Sequence, residues 1–170
     1  MKLKNNENKL RKFPLAKYDA LEVSRYIINS FNEKKYKINN LKLQCILYLL
    51  QGNALRNLGY PLFKEDIVKW KYEPAIPVVF HEYLPYGTLD IPMIREYKCF
   101  LPNKYRPVIR KYVPPHFNHT EAELIDDLIN ELGNISSEML CSIVKNHKIV
   151  KNTKMNGIVH LSDMYEYFKK

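Results

Sequence analysis

The segment from Leu41 to Leu58 constrains this chain more than any other, because it is apolar on nearly every side of a helix. Its apolar residues are Leu41, Leu43, Cys45, Ile46, Leu47, Tyr48, Leu49, Leu50, Ala54, Leu55 and Leu58. A helix of this kind lies buried at the centre of a domain. Asn39 or Asn40 is expected to cap its start, and Gly59 followed by Pro61 should end it. We therefore predict a core that contains Leu43, Ile46, Leu47, Tyr48 and Leu50.

Two glutamines interrupt this apolar helix. Gln44 and Gln51 are seven residues apart and share one face, so both should meet polar partners inside the fold. This pattern is compatible with a buried binding site or with simple hydrogen-bond satisfaction in the core, and we favour the second interpretation.

Further helices are predicted from caps and periodicity. Asp19 with Glu22 at the third helical position should open a first helix, and Pro77 a short one. Thr120 with Glu123 is expected to open a long helix that ends at Gly133. Ser136 or Ser137, and later Ser162, should open the last two helices.

Two segments with strand character complete the pattern. Ile67–Tyr72 alternates, with Val68, Trp70 and Tyr72 on one face, and we place Trp70 in the core. Gly157–Leu161 should pair with it, because an isolated strand leaves its backbone groups unsatisfied. Residues 88–119, which hold five prolines, are expected to be irregular, with at most one short helix. The predicted fold is α+β and mainly α: a compact helical domain around one buried helix, with a small two- or three-stranded sheet.

Domain organisation and location follow from length and hydropathy. The 170 residues suit a single domain, which we place at residues 17–170 after a basic polar arm at residues 1–16. The longest apolar run, Cys45–Leu50, cannot span a bilayer, and the start of the chain has no apolar signal region. We expect a cytoplasmic protein with no membrane partner.

Catalytic and metal motifs are missing from the sequence. The three cysteines are far apart in the sequence, and no glycine-rich phosphate loop or nucleophile elbow occurs. His116 and His119 lie in a proline-rich loop without further ligands, so a zinc site is disfavoured. Glu121, Glu123 and the Asp126–Asp127 pair are expected on the solvent side of a helix. We assign no catalytic residue, no cofactor and no metal, and predict that the protein is not an enzyme.

The net charge of +9 points to an anionic partner or to the base composition of the gene. Lysine (21) far exceeds arginine (6), and asparagine occurs 16 times, as an AT-rich gene produces. One stretch combines basic and aromatic side chains, a mixture that suits single-stranded nucleic acid or an acidic protein. We select as partner-binding residues Arg95, Tyr97, Lys104, Tyr105, Arg106, Arg110, Lys111 and Tyr112. Lys145, Lys148, Lys151 and Lys154 form a second basic stretch, which is equally typical of a solvated helix edge.

Three motifs in order carry a family resemblance. They are LKLQCILY at residues 41–48, GYPLF at residues 59–63 and KWKYEPAIP at residues 69–77. The set resembles the Panacea domain of SocA-like antitoxins, a family once grouped with phage-associated GepA proteins, and it covers about residues 18–168. Where the family pattern has lysine and glycine, this chain has Cys45 and Glu73.

The resemblance implies an antitoxin that binds a cognate toxin from a neighbouring gene and blocks it by direct complex formation. That role agrees with the missing catalytic motifs. Two alternatives remain at this point: a nucleic-acid-binding protein of a phage or mobile element, and an adaptor that delivers a bound protein to a protease. We expect only weak contact with nucleic acid, since few arginines are present.

Overall fold

The helix Asn40–Leu58 lies at the centre of the molecule and contacts most other elements. The computed structural model describes residues 13–170, so most of the predicted arm lies outside the described residues. The helices in this range are α1 (Ala20–Glu33), α2 (Asn40–Leu58), α3 (Pro77–Glu82), α4 (His119–Leu132), α5 (Ser137–Asn146), α6 (Lys148–Asn152) and α7 (Leu161–Phe168). A 3-10 turn spans Leu84–Tyr86. Two antiparallel pairs join β1 (Val68–Lys69) to β2 (Pro74–Ala75) and β3 (Glu96–Cys99) to β4 (Val108–Lys111). The fold is mainly α, of the α+β class, as predicted.

The ends of α2 follow from its sequence. The Asn39 side chain accepts a hydrogen bond from the Lys42 N–H at 2.9 Å, which satisfies a free donor of the first turn. Gly59 ends the helix with a φ of 78°, a left-handed conformation that glycine adopts without steric cost. Both boundaries confirm the predicted caps.

The sides of α2 are covered by α4, α5 and α7, with α1 and β2 completing the enclosure. The side chains of Leu43, Ile46, Leu47, Tyr48 and Leu50 are at most 1% exposed. The helix that is apolar all round therefore lies in the centre of a helical shell.

The two glutamines of α2 tie down the chain that follows it. The Gln51 Oε1 accepts the Leu62 N–H at 2.8 Å, and its Nε2 donates to the Phe63 carbonyl at 2.9 Å. The Gln44 Oε1 accepts the Ile76 N–H at 2.8 Å. The Gln44 Nε2 donates to the Asn40 Oδ1 at 3.0 Å. The predicted polar partners are thus confirmed as backbone groups and one neighbouring side chain, and both glutamines satisfy polar groups inside the core.

The predicted strand Ile67–Tyr72 is shorter than expected. It ends at Lys69, and the Trp70 N–H bonds to the Glu73 carbonyl at 3.2 Å, so the chain turns back immediately. The predicted pairing with Gly157–Leu161 forms over a short stretch: Val68 bridges Ile158, the Val159 N–H donates to the Ile67 carbonyl at 2.8 Å, and the Lys69 N–H donates to the Gly157 carbonyl at 2.9 Å. Val68 pairs with Ala75 of β2 and also with Ile158, so β1 lies between β2 and this segment.

The position of Trp70 also differs from the prediction, which placed this residue in the core. Its side chain is half-buried and lies outside the apolar core, packing edge-to-face on Phe80 with 5.0 Å between ring centroids. Tyr72 is 63% exposed. Alternation continued in the sequence past the point where the strand stops, which is why both residues were expected to face inward.

Residues 88–119 are largely irregular, as predicted, but they also contain the β3–β4 hairpin, which was not expected. Pro102 and Pro107 lie in the connecting loop, outside the paired residues. Proline has no N–H to donate to a neighbouring strand, which matters only at a paired position. Because Pro102 and Pro107 are unpaired, the hydrogen bonds between β3 and β4 are kept.

The start of α4 differs from the predicted Thr120 cap. Asn118 caps the helix by accepting the Glu121 N–H at 2.9 Å, and Glu121 returns a bond to the Asn118 N–H. The last helix likewise begins after His160 rather than after Ser162. A boundary shift of two residues moves a side chain from the solvent face to the core face.

Glu121 is therefore fully buried instead of solvent-exposed. Its carboxylate accepts the hydroxyls of Tyr18 at 2.7 Å and Tyr60 at 2.8 Å, and it pairs with Lys17 at 3.3 Å. Burial raises the pKa of Glu121, but these bonds and the Asn118 N–H together hold it below its ordinary value. The cluster fastens the N-terminus of α4 to the chain that precedes α1.

Candidate partner-binding surface

The structure gathers the eight predicted partner-binding residues in one hairpin. Tyr97 lies on β3, while Arg110 and Lys111 lie on β4. Arg95 and Tyr112 close the base, where the Tyr112 N–H donates to the Arg95 carbonyl at 2.8 Å. The loop holds the remaining three: Lys104, Tyr105 and Arg106. We call residues 95–112 the basic hairpin.

The register gives the basic hairpin two distinct faces. Tyr97 lies opposite Arg110, and Lys98 lies opposite Ile109 on the other face. Side chains of directly paired residues share a face. Tyr97 is half-buried, whereas Lys98 and Ile109 are exposed, so the second face is open to solvent.

Helix α1 holds the base of the basic hairpin. The Asn29 amide donates to the Ile94 carbonyl at 2.9 Å and accepts the Ile94 N–H at 2.7 Å, so it satisfies both backbone groups of one residue. The Arg25 guanidinium lies over the Tyr97 ring at 3.6 Å from the centroid. These contacts fix the base, while the loop beyond β3 extends away from them.

The positive charge of Arg25, at the base of the basic hairpin, is not neutralised by an ion pair within residues 13–170. Arg25 is 7% exposed and has an Nε without a hydrogen-bond partner. Burial raises the pKa of Tyr112 to about 12, so this phenol stays neutral near pH 7. From Arg95 to Pro115 the sequence has six basic residues against Glu96 alone.

Apolar groups are exposed among these charges. Phe100 is 76% exposed, Ile109 64% and Val113 72%, and the Tyr105 ring is entirely in solvent. Aromatic and arginine side chains are enriched at protein interfaces, and clustered exposed apolar groups mark interaction sites. The basic hairpin is thus chemically suited to an acidic protein surface that also offers apolar pockets.

The predicted histidine pair, His116 and His119, lies at the surface. His119 is exposed and pairs with Glu123 at 3.1 Å. Residues 13–170 contain no group of three or more His, Cys, Asp or Glu side chains placed to hold a metal ion. In the same range, no helix has both the length and the hydropathy needed to cross a bilayer.

Sequence reasoning selected the residues of the hairpin but missed the hairpin itself. The detectable signal was the alternation of Tyr97 and Cys99 with Glu96 and Lys98 in the first strand, whereas Val108–Lys111 does not alternate. Arg25 and Asn29 could not be found from sequence, because only the tertiary contact brings α1 beneath the hairpin.

The family described as antitoxin SocA-like, Panacea domain, matches residues 43–149, which is more than half of the chain. The chain belongs to this family. The matched range of this Panacea protein begins in α2, contains the whole basic hairpin, and ends in α6. No curated protein and no solved structure matches the chain.

Proposed function

We propose that this Panacea protein is an antitoxin-like binding protein that neutralises a cognate protein toxin, encoded by a neighbouring gene, through direct complex formation. The observation that carries the proposal is the basic hairpin, an exposed basic and aromatic surface inside the range that matches the antitoxin family. We further propose that the protein acts in the cytoplasm, as a stoichiometric binder without catalysis.

The hairpin contributes to binding in two ways. Its base is fixed by Asn29 and Arg25, so little conformational freedom is lost there when a partner docks. Its positive charges steer an acidic partner and raise the association rate. Phe100, Tyr105 and Ile109 then supply apolar contact area that sets the dissociation rate.

The direct test uses the protein encoded beside this gene. Co-expression should restore growth to cells that produce the toxin, and the purified pair should form a complex of fixed stoichiometry. The variant Lys104→Ala/Arg106→Ala/Arg110→Ala/Lys111→Ala should lose most of this binding.

A matched control removes the same charge elsewhere. Lys145→Ala/Lys148→Ala/Lys151→Ala/Lys154→Ala lowers the net charge by four on the α5–α6 segment and should leave toxin binding within about threefold of wild type, since surface charges away from an interface contribute little. Equal losses in both variants would mean that only net charge matters, and the hairpin assignment would be wrong.

A further inference from the structure

The turn between β1 and β2 faces α5 and α6 across a cavity of about 380 Å³. This volume lies at the lower end of the range for small-molecule sites in proteins. The cavity brings together two sequence features that the proposed function does not use: the Lys69–Tyr72 segment and the second lysine stretch. We call it the Glu73 cavity.

Four lysines line the Glu73 cavity. Lys69 and Lys71 come from the turn, and Lys145 and Lys151 come from α5 and α6. Within residues 13–170 none of the four forms an ion pair. The Lys69 Nζ donates to the Lys151 carbonyl at 3.1 Å. Four ammonium groups without an ion pair around one cavity favour an anionic ligand, and lysine is a common partner of phosphate.

A buried acid lies among these lysines. Glu73 is 3% exposed, and its Oε2 has no hydrogen-bond partner. Burial raises the pKa of Glu73 to about 6, although Lys145 lowers it, so the carboxylate is mostly ionised above pH 7. A buried acceptor without a donor is unfavourable. Glu73 belongs to the cavity wall, but its Oε2 has almost no surface open to solvent, so a ligand that brings N–H groups reaches this oxygen only when the side chain turns towards the cavity.

Two aromatic rings complete the lining. Trp70 is half-buried and packs one side of its ring system against Phe80, and Tyr72 is 63% exposed. Aromatic rings beside a basic groove act as stacking platforms for nucleobases. Lysines, aromatic rings and one carboxylate are the groups that recognise the phosphate, the face and the edge of a nucleotide.

We propose that the Glu73 cavity binds a guanine nucleotide, with its base against Trp70 and Tyr72, its Watson–Crick edge on Glu73 and its phosphates on the lysines. Guanine presents two adjacent N–H donors, N1–H and the 2-amino group, and a carboxylate accepts two parallel hydrogen bonds. Adenine and uracil lack this pair of neighbouring donors. The proposal is independent of toxin binding, because none of the residues involved belongs to the basic hairpin.

The test uses Trp70, which is the only tryptophan of the chain, so its fluorescence reports on the cavity. Titration with GDP at pH 7.5 and 150 mM salt should change the emission saturably. GDP should bind at least about tenfold more tightly than ADP, as expected from one good pair of edge hydrogen bonds. Inorganic pyrophosphate should compete much less well than GDP.

Variants separate the roles of the edge and of the phosphates. Glu73→Gln should remove the preference for GDP over ADP, because its amide offers a donor where the base also has donors. Lys145→Ala/Lys151→Ala should weaken GDP and ADP binding by similar factors. The control Lys148→Ala/Lys154→Ala makes the same charge change outside the cavity lining and should bind GDP as wild type does.

Several results would overturn the proposal. They are no saturable change with GDP, equal affinity for GDP and ADP, or equal competition by pyrophosphate and GDP. If RNA oligonucleotides alone changed the Trp70 emission, the ligand would be a single strand of RNA and the proposal of a free nucleotide would be wrong. If Glu73 serves only as a counter-ion for Lys145, Glu73→Gln changes the melting temperature while GDP leaves the wild-type emission unchanged.

Discussion

The α2 helix and the basic hairpin represent opposite ways of using a comparable length of chain. Side chains of α2 such as Leu47 are fully enclosed, and its buried Gln44 and Gln51 form hydrogen bonds with backbone groups and with the Asn40 side chain. In the hairpin, Tyr105 and Ile109 remain in solvent, and its positive charges have almost no acidic partners. The first region therefore determines stability, and the second is free to serve binding.

The largest effect should come from the centre of α2. Leu47→Ala should lower the free energy of unfolding by about 2–5 kcal/mol, because it leaves a cavity in a closely packed core. Urea unfolding followed by circular dichroism measures this difference. Leu89→Ala, at a side chain that is 71% exposed, is the matched control and should change the value by less than about 0.5 kcal/mol. A similar small loss for Leu47→Ala would contradict the central role of α2.

The second prediction concerns the glutamine that holds the Leu62–Phe63 backbone. Gln51→Leu keeps the side-chain size but leaves the Leu62 N–H and the Phe63 carbonyl buried without partners. We expect a loss of about 2–4 kcal/mol, since each such group costs about 1–3 kcal/mol. The control Asn57→Leu lies on the exposed side of α2. Equal stabilities of the two variants in the same urea titration would show that Gln51 is replaceable.

A smaller and pH-dependent effect is expected at Glu121. Its pKa is lowered in the folded state, so its contribution to stability is present at neutral pH and disappears as the pH falls through the folded-state pKa. Glu121→Gln should therefore cost about 1–2 kcal/mol at pH 7, and the gap from wild type should narrow as the pH drops below about 4.

Unfolding curves at pH 7 and pH 3 measure this gap, with the exposed Glu131→Gln variant as the control. A difference between wild type and Glu121→Gln that is the same at both pH values would show that the Glu121 charge does not contribute.

The hairpin should show the smallest effect on stability. Replacing Lys104, Arg106, Arg110 and Lys111 by alanine should change the free energy of unfolding by less than about 0.5 kcal/mol per site, because all four side chains are exposed. Thermal melts of the variant and of wild type compare this directly. A large loss would mean that the hairpin belongs to the core architecture after all.

The same contrast explains what the sequence could and could not predict. The core of α2 was predictable because burial imposes a dense apolar pattern, and its caps and glutamines obey local rules. The hairpin was missed because only its first strand alternates and Val108–Lys111 does not. The burial of Glu121 was missed because it depends on a two-residue shift of the cap to Asn118. The prediction that Trp70 lies in the core failed because a turn ends the strand before this residue. The Glu73 cavity is formed by segments about 70 residues apart, and only the tertiary fold reveals it.

The most direct test of the central claim is the salt dependence of binding by the wild-type hairpin and its four-fold alanine variant. Surface plasmon resonance with the neighbouring gene's product should show association slowing between 50 and 200 mM salt while the dissociation rate changes little, because apolar anchors retain the partner. Nucleic acid bound through four or five phosphates would instead lose on the order of a hundredfold in affinity over that range. We predict a salt-tolerant protein complex that the alanine variant loses, and only weak nucleic-acid binding near physiological salt. Sequence-selective, nanomolar binding to DNA or RNA at 150 mM salt, abolished by the same four substitutions, would contradict the antitoxin account.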